Sequence, residues 1–293
     1  MGLARLLGIS RTQAAALAEE GRVEVDGARV GKSDPLPAGG LLSAKLRVAA
    51  PPGPPPEEDV ADDVLPIVYR DADLVIVDKP VGIAAHVGPG WSGPTVLGIL
   101  ARRGVSLASE GPAERQGIVQ RLDVGTSGLM AVACSNVAYR GLKRAFKQRE
   151  VSKTYHAAVH GLLDPMRGSI DAAIGRHPGG RFRFAVTEGG KRAVTHYEVL
   201  EVFPGACLAS VDLETGRTHQ IRVHLAAVGH PLLGDPLYGG NPREAERLGL
   251  ERQWLHAVQL GFTHPVTGEQ VRAESPYPAD LTQALERLRG VEQ

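Results

Sequence analysis

An α+β fold with a mixed, largely antiparallel sheet is predicted for this chain by three observations. Short apolar runs outnumber helical patterns, they come in hairpin-like pairs, and turn formers are abundant, with 36 Gly and 21 Pro in 293 residues. The hydrophobic fraction of 43% is enough to bury a core, and at 4% aromatic that core is mainly aliphatic. The length suits two domains better than one.

Residues 1–48 form a short unit. Leu3 to Glu20 have helical spacing, with Ser10 placed to cap a second helix. Val23-Glu24-Val25 then alternate as a strand that Asp26-Gly27 closes in a turn. Residues 49–62, AAPPGPPPEEDVAD, combine proline with acid and read as an extended linker. The main domain runs over 63–293. Leu74 to Val77 and Leu129 to Ala133 are short buried strands. Tyr139, Leu142 and Phe146 share one face of a helix whose remaining surface carries Arg140, Lys143, Arg144 and Lys147. Ile221, Val223 and Leu225 alternate with polar residues, which predicts a strand presenting Gln220, Arg222 and His224 on one face. No internal repeat appears.

The net charge is zero, from 33 basic and 33 acidic residues, which by itself speaks against nucleic acid. The distribution says otherwise. Residues 1–50 balance at +2, residues 51–78 at −7, and residues 79–293 at +5, so the acid is concentrated beside the linker and the rest is mildly basic. Cys134 and Cys207 lie in apolar runs far apart, and match buried free thiols rather than a metal or disulfide pattern. No apolar run approaches the roughly 20 residues that span a bilayer, and the N-terminus lacks the layout of a secretory signal. A cytoplasmic monomer without membrane contact is the expectation.

Two segments carry candidate chemistry. In Gln120-Arg121-Leu122-Asp123-Val124-Gly125-Thr126-Ser127-Gly128-Leu129, a carboxylate sits in a polar loop directly before an apolar strand, a place where rigid folds present reactive groups. Arg121 is close in sequence and is expected to help hold Asp123 ionised. The same residue types are those of an ordinary turn, and composition alone favours the turn. The second segment is Leu213 to Leu225, with Arg217, His219, Gln220, Arg222 and His224 within eight residues. Such a run can pair a carboxylate and hydrogen-bond RNA phosphates or bases. A metal site from His219, His224 and His230 matches no standard zinc spacing. Two clusters are weaker: Lys153-Thr154-Tyr155, where a tyrosine is more often core, and the basic hairpin with Arg176, His177, Arg181, Phe182, Arg183 and Phe184, which suits single-stranded nucleic acid or plain solvent about equally.

Together these segments resemble the large-subunit type of RNA pseudouridine synthase. Asp73 to Gly82 is similar to the family's opening segment, Arg121-Leu122-Asp123 with Thr126-Ser127-Gly128-Leu129 to its catalytic segment, Gly216 to Tyr238 to its longest pattern, and Arg252 to Ala257 with His264 to Glu269 to its closing segment. Gln120 stands where the family commonly has histidine. Residues 1–48 resemble the S4 RNA-binding module, its first helix shortened at Met1, with Ser10-Arg11 and Val25-Asp26-Gly27 fitting the pattern.

The resemblance implies isomerisation of uridine to pseudouridine in structured RNA. The N1–C1′ bond breaks, the uracil turns, and C5 joins the sugar, so no cofactor and no metal are required. It implies Asp123 as the ionised catalytic carboxylate, attacking sugar or base or acting as a base at C2′. Arg222 is its ion-pair partner, and Tyr155 stacks on the flipped base and helps remove the C5 proton. Leu255 lines the pocket, with Arg121, Thr126, Arg217, His219 and Gln220 binding substrate. Ribosomal RNA of the large subunit is the implied partner, with transfer RNA also modified by relatives. The rival readings are a non-catalytic RNA-binding protein of the same fold and a metal-dependent hydrolase.

Overall fold

One parallel seam organises the main sheet. A computed structural model describes residues 15, 17–31, 34, 39–44, 64–88, 90–179 and 183–290. The Ser10 cap, Arg11, the 49–62 linker, Arg181 and Phe182 lie outside the described residues. The chain divides into two compact units, residues 1–53 and 54–293.

In the first unit, β1 (Val23–Val25), β2 (Ala28–Arg29) and β3 (Leu42–Ala44) form an antiparallel sheet in the order β2-β1-β3. The expected Asp-Gly turn is present. Asp26 and Gly27 both take positive φ, 50° and 80°, as a two-residue hairpin with the native twist requires.

The second unit contains β4 (Ile67–Arg70), β5 (Leu74–Lys79), α1 (Val96–Arg102), β6 (Ser127–Ala133), α2 (Asn136–Gln148) and β7 (Ser152–His160). After these come β8 (Arg167–Asp171), β9 (Ile174–Arg176), β10 (Phe184–Val186), β11 (Val194–Phe203) and β12 (Ala206–Leu213). The chain continues with α3 (Gln220–Ala227), α4 (Pro242–Leu248), β13 (Leu255–Thr263), β14 (Gln270–Glu274) and α5 (Ala279–Leu288). The main sheet has the order β4-β5-β6-β13-β7-β12-β11-β8, with β14 on β13, and β9 and β10 pair separately. Every pairing between named strands is antiparallel except β6 with β13, so the sheet is mixed and largely antiparallel, as the hairpin-rich sequence predicts.

The seam puts the two loops that enter β6 and β13 side by side at one edge of the strands. Gly128 allows this approach. Its φ is 111°, and a Cβ there would stand 2.3 Å from the Ala257 carbonyl oxygen, so no side chain is tolerated. The apolar runs behave as expected. β6 is buried along its whole length and pairs with buried β5 through Leu74↔Ala133 to Lys79↔Gly128. α2 is capped by Ser135 and packs Leu142, Tyr139 and Phe146 against one side of this sheet. A separate cluster on the other side includes Leu122, Tyr155, Ile221 and Leu255.

The segment after Thr218 differs from its expectation. Gln220 to Leu225 is helix α3, not a strand. All six residues are buried, so the helix has no solvent face to reveal its period, and its apolar residues imitate alternation. In a helix Gln220 and His224 lie one turn apart while Arg222 points nearly opposite. Gln220 and His224 accordingly share Thr195 Oγ1, at 3.0 and 2.9 Å, and Arg222 faces away from them. Both cysteines are free, Cys207 buried and Cys134 half-buried.

Candidate active site

The loop before β6 is braced from two sides. Thr126 N–H donates to Asp123 O at 3.0 Å and closes a tight turn, and Gly82 N–H donates to Val124 O at 3.0 Å. From the loop before β13, Arg252 Nη1 reaches Gly125 O at 3.3 Å and Gln253 Nε2 reaches Thr126 Oγ1 at 3.2 Å. Arg252 is itself buried and held by Asp280 of α5 at 2.7 and 3.1 Å. These contacts fix the backbone of Asp123 and leave its side chain, 19% exposed, free in a cleft of about 610 Å³.

Two side-chain nitrogens face that carboxylate. Arg222 Nη1 and His219 Nε2 each lie 3.7 Å from Asp123 Oδ2. Arg222 is anchored from behind by Asp235, which accepts from Nε at 2.7 Å and Nη2 at 2.8 Å, and its guanidinium lies over the Tyr238 ring at 4.9 Å. Burial works against the Arg222 charge, but the hydrogen bonds and charge of Asp235, with Asp123 beyond, outweigh it and hold its pKa above the ordinary value. Burial lowers the His219 pKa, opposed by Asp123, so the ring is neutral near pH 7. Tyr155 and Leu255 form the apolar floor, 7% and 4% exposed. Burial, and then the charge of Asp123, push the Tyr155 phenol well above its ordinary pKa. Lys143, Lys147, Lys153, Arg121 and Arg217 stand around the mouth. A deep neutral floor, one carboxylate and a cationic rim can take a base out of its stack while holding its phosphates.

Residues 73–227 match the family model described as RNA pseudouridylate synthase. The chain belongs to this family. An uncharacterized RNA pseudouridine synthase of Mycobacterium bovis is 57% identical over 291 residues, 99% of this chain and 93% of the relative. The ribosomal large subunit pseudouridine synthase D of Pseudomonas aeruginosa is 40% identical over 290 residues, 96% and 88% of the two chains. Among solved structures, human RNA pseudouridylate synthase domain containing 1 superposes with a TM-score of 0.61 at 29% identity, covering 79% of this chain and 97% of its own. The protein is thus an enzyme that isomerises uridine in RNA.

The structure brings most of the sequence-predicted site of this synthase together. Asp123, Tyr155, Arg222, His219, Thr126, Arg217 and Leu255 all line the one cleft. Two placements correct the expectation. Arg121 is exposed on the wall and makes no ion pair with Asp123; the cation beside the carboxylate is Arg222, brought across the fold by α3. Gln220 also borders the cleft, but its amide is spent on the protein. Its oxygen accepts from Thr215 Oγ1 and Arg217 N, and its nitrogen donates to Val194 O and Thr195 Oγ1. Gln120 stands in the same wall with its amide nitrogen buried and lacking a hydrogen-bond partner.

Sequence reasoning missed Lys79, Asp235 and Tyr238, although each lies within a segment that carries the resemblance. Lys79 is fully buried, and its Nζ donates to Pro80 O at 2.8 Å and Ile83 O at 2.9 Å, pinning the turn whose Gly82 holds Val124. Burial brings its pKa down to about 7 despite the attraction of Asp123. The only signal was a lysine closing an apolar strand.

The three histidines whose spacing spoke against a metal site are dispersed. His224 bonds Thr195 and Ala172 O, and His230 bonds His160 O, while His219 faces Asp123. Among the described residues, Asp71, Asp73 and His264 are the one group close enough to share an ion. His264 Nδ1 accepts from the Val266 and Thr267 amides, so the neutral ring carries its proton on Nε2, 3.0 Å from Asp71 Oδ2. That nitrogen has no lone pair to offer a metal. The group is a clamp between two hairpin turns.

Proposed function

We propose that this synthase modifies uridine in large-subunit ribosomal RNA and that Asp123 is the carboxylate that reacts. The observation that carries the reading is the contrast in the cleft: Asp123 is backed by a rigid loop yet engaged by donors only at 3.7 Å. Such a group is aimed and available, which is what nucleophilic attack on the sugar or base, or proton removal at C2′, requires. Arg222 keeps its charge in place. Tyr155 stacks on the flipped uracil, and burial and the charge of Asp123 keep its phenol protonated beside it. Leu255 closes the other side of the base.

Flipping costs a few kcal/mol, and the cationic rim with Arg217 supplies phosphate contacts to offset it. Residues 1–48 act as an S4-like module that adds RNA contacts. The ribosomal target is supported by the name of the Pseudomonas aeruginosa relative, which spans nearly the whole of this chain. The protein works in the cytoplasm; among the described residues no helix is long and apolar enough to cross a membrane. The test is pseudouridine mapping of ribosomal and transfer RNA in a deletion strain. A site in large-subunit RNA that reverts to uridine, and is restored by the wild-type gene but not by Asp123→Asn, is the expected result. Loss confined to transfer RNA refutes the ribosomal assignment, and restoration by Asp123→Asn refutes the carboxylate.

A further inference from the structure

Both side chains that face Asp123 are held by one short turn. Asp235 Oδ1 accepts from the Leu237 amide at 2.8 Å and the Tyr238 amide at 3.1 Å, as well as from Arg222. This fixes where Tyr238 stands. The Tyr238 hydroxyl lies 3.0 Å from the Phe184 amide nitrogen and 2.7 Å from His219 Nδ1.

We propose that Tyr238 is a positioning residue of this synthase: its hydroxyl puts the His219 proton on Nε2, where the neutral ring serves Asp123 as a second donor beside Arg222. The inference rests on the assignment of Asp123 as the reacting carboxylate.

The proton inventory leads to this. The Phe184 amide can only donate, so the Tyr238 oxygen accepts there. The hydroxyl keeps one proton to give, and His219 Nδ1 stands at donor distance. An imidazole nitrogen that accepts is bare, and the neutral ring then carries its hydrogen on the other nitrogen. That other nitrogen is the one facing Asp123 Oδ2. The opposite tautomer sets a lone pair against a carboxylate and leaves the Tyr238 hydroxyl proton without this acceptor. Both ends of the chain therefore select the same state. Burial keeps the His219 ring neutral, which is the condition under which a tautomer exists to be chosen.

The geometry around the ring agrees. His219 takes φ 56°, a left-handed conformation uncommon outside glycine, at the head of α3. This turns the ring away from the helix stack. Phe184 and Tyr238 hold it edge-on, with centroids at 5.8 and 5.5 Å. The 3.7 Å to Asp123 is longer than a hydrogen bond, as catalytic contacts often are before substrate arrives. Phe184 opens β10, so the seating of the β9–β10 hairpin is coupled to the proton on His219.

The experiment uses the full chain labelled with 15N-histidine, and reads tautomers from two-bond proton–nitrogen correlations. His219 peaks are identified by their loss in His219→Gln. The wild type is expected to show the Nε2–H form alone, and Tyr238→Phe a mixture or the Nδ1–H form. In parallel, single-turnover tritium release is followed from a large-subunit ribosomal transcript labelled at uridine C5. Tyr238→Phe is expected to lower the maximal rate about tenfold while half-saturation stays unchanged. His219→Gln, whose amide restores an N–H near the place of Nε2, is expected to retain more rate than His219→Leu, with unfolding temperatures confirming that all variants fold. An Nδ1–H wild type, an unchanged maximal rate in Tyr238→Phe, or a loss seen only in half-saturation overturns the proposal. A wild type inactive on this transcript counts against the ribosomal assignment instead, and the nitrogen spectra still decide the tautomer.

Discussion

Two carboxylates share Arg222, and they are built oppositely. Asp235 has a fully buried side chain that accepts four hydrogen bonds, two from Arg222 and two from its own turn. Asp123 is partly exposed and has its donors at 3.7 Å. A buried arginine needs a partner, because an unpaired buried charge costs several kcal/mol. Asp235 meets that need completely. Arg222 can then present a positive Nη1 to Asp123 at 3.7 Å without collapsing onto it, so the Asp123 oxygens stay available. One carboxylate is fully engaged by the protein and the other is left open to the cleft.

The largest expected effect tests the free partner. Asp123→Asn should reduce single-turnover tritium release from uridine-labelled RNA by about three orders of magnitude or more, roughly 4 kcal/mol in barrier, while unfolding temperature and RNA affinity stay near wild type. A loss of tenfold or less would show that Asp123 is an ordinary turn residue. The same logic predicts the reverse profile for the bound partner. Asp235→Asn should cost about 3–5 kcal/mol of stability in urea unfolding, since it leaves Arg222 buried with half its charge pairing gone. A crystal structure of that variant should show the guanidinium moved onto Asp123. An Asp235→Asn protein as stable as wild type would mean the two carboxylates are interchangeable.

The arginines sharpen the comparison further. Arg222→Ala should lower the maximal rate more than Arg217→Ala does. Arg217 is exposed, and among the described residues its side chain bonds only the Arg192 carbonyl, at 3.1 Å. Its replacement should act on RNA binding, reducing the slope of log affinity against log salt by about 1. The opposite ranking would move the ion pair elsewhere. A pH-dependent effect concerns Lys79, whose folded pKa of about 7 lies below its ordinary value of 10.5. Between these values the unfolded chain binds more protons than the folded one, so this lysine makes stability rise with pH across that window and penalises the fold below it. Lys79→Met should remove a slope of at most about 1.4 kcal/mol per pH unit, measured as the wild-type-minus-variant difference in unfolding free energy from pH 7 to 10. A difference that is flat with pH would mean the buried amine stays charged.

Much of this molecule was legible before any coordinates. Turn-rich composition and paired apolar runs indicated the antiparallel sheet, the Asp26-Gly27 hairpin was plain, and Tyr139, Leu142 and Phe146 announced the face of α2. Asp123, Tyr155 and Arg222 were named from motifs that keep their order along the chain. Local pattern failed at Gln220 to Leu225. A helix buried on every side shows no polar face, so its sequence cannot be told from a strand by period alone.

What the sequence determined by itself was therefore which segments supply the polar lining of the cleft and which are apolar enough to be buried, because propensity, turn chemistry and hydrophobic pattern act over a few neighbours. Only the tertiary structure decided which charges meet. Arg121, two residues from Asp123 in the chain, points to the rim, while Arg222, about a hundred residues on, arrives beside it with its own counter-ion. Electrostatic partnership depends on distance and burial in space. The parallel seam of β6 and β13, closed over Gly128, is what converts separate segments into one site.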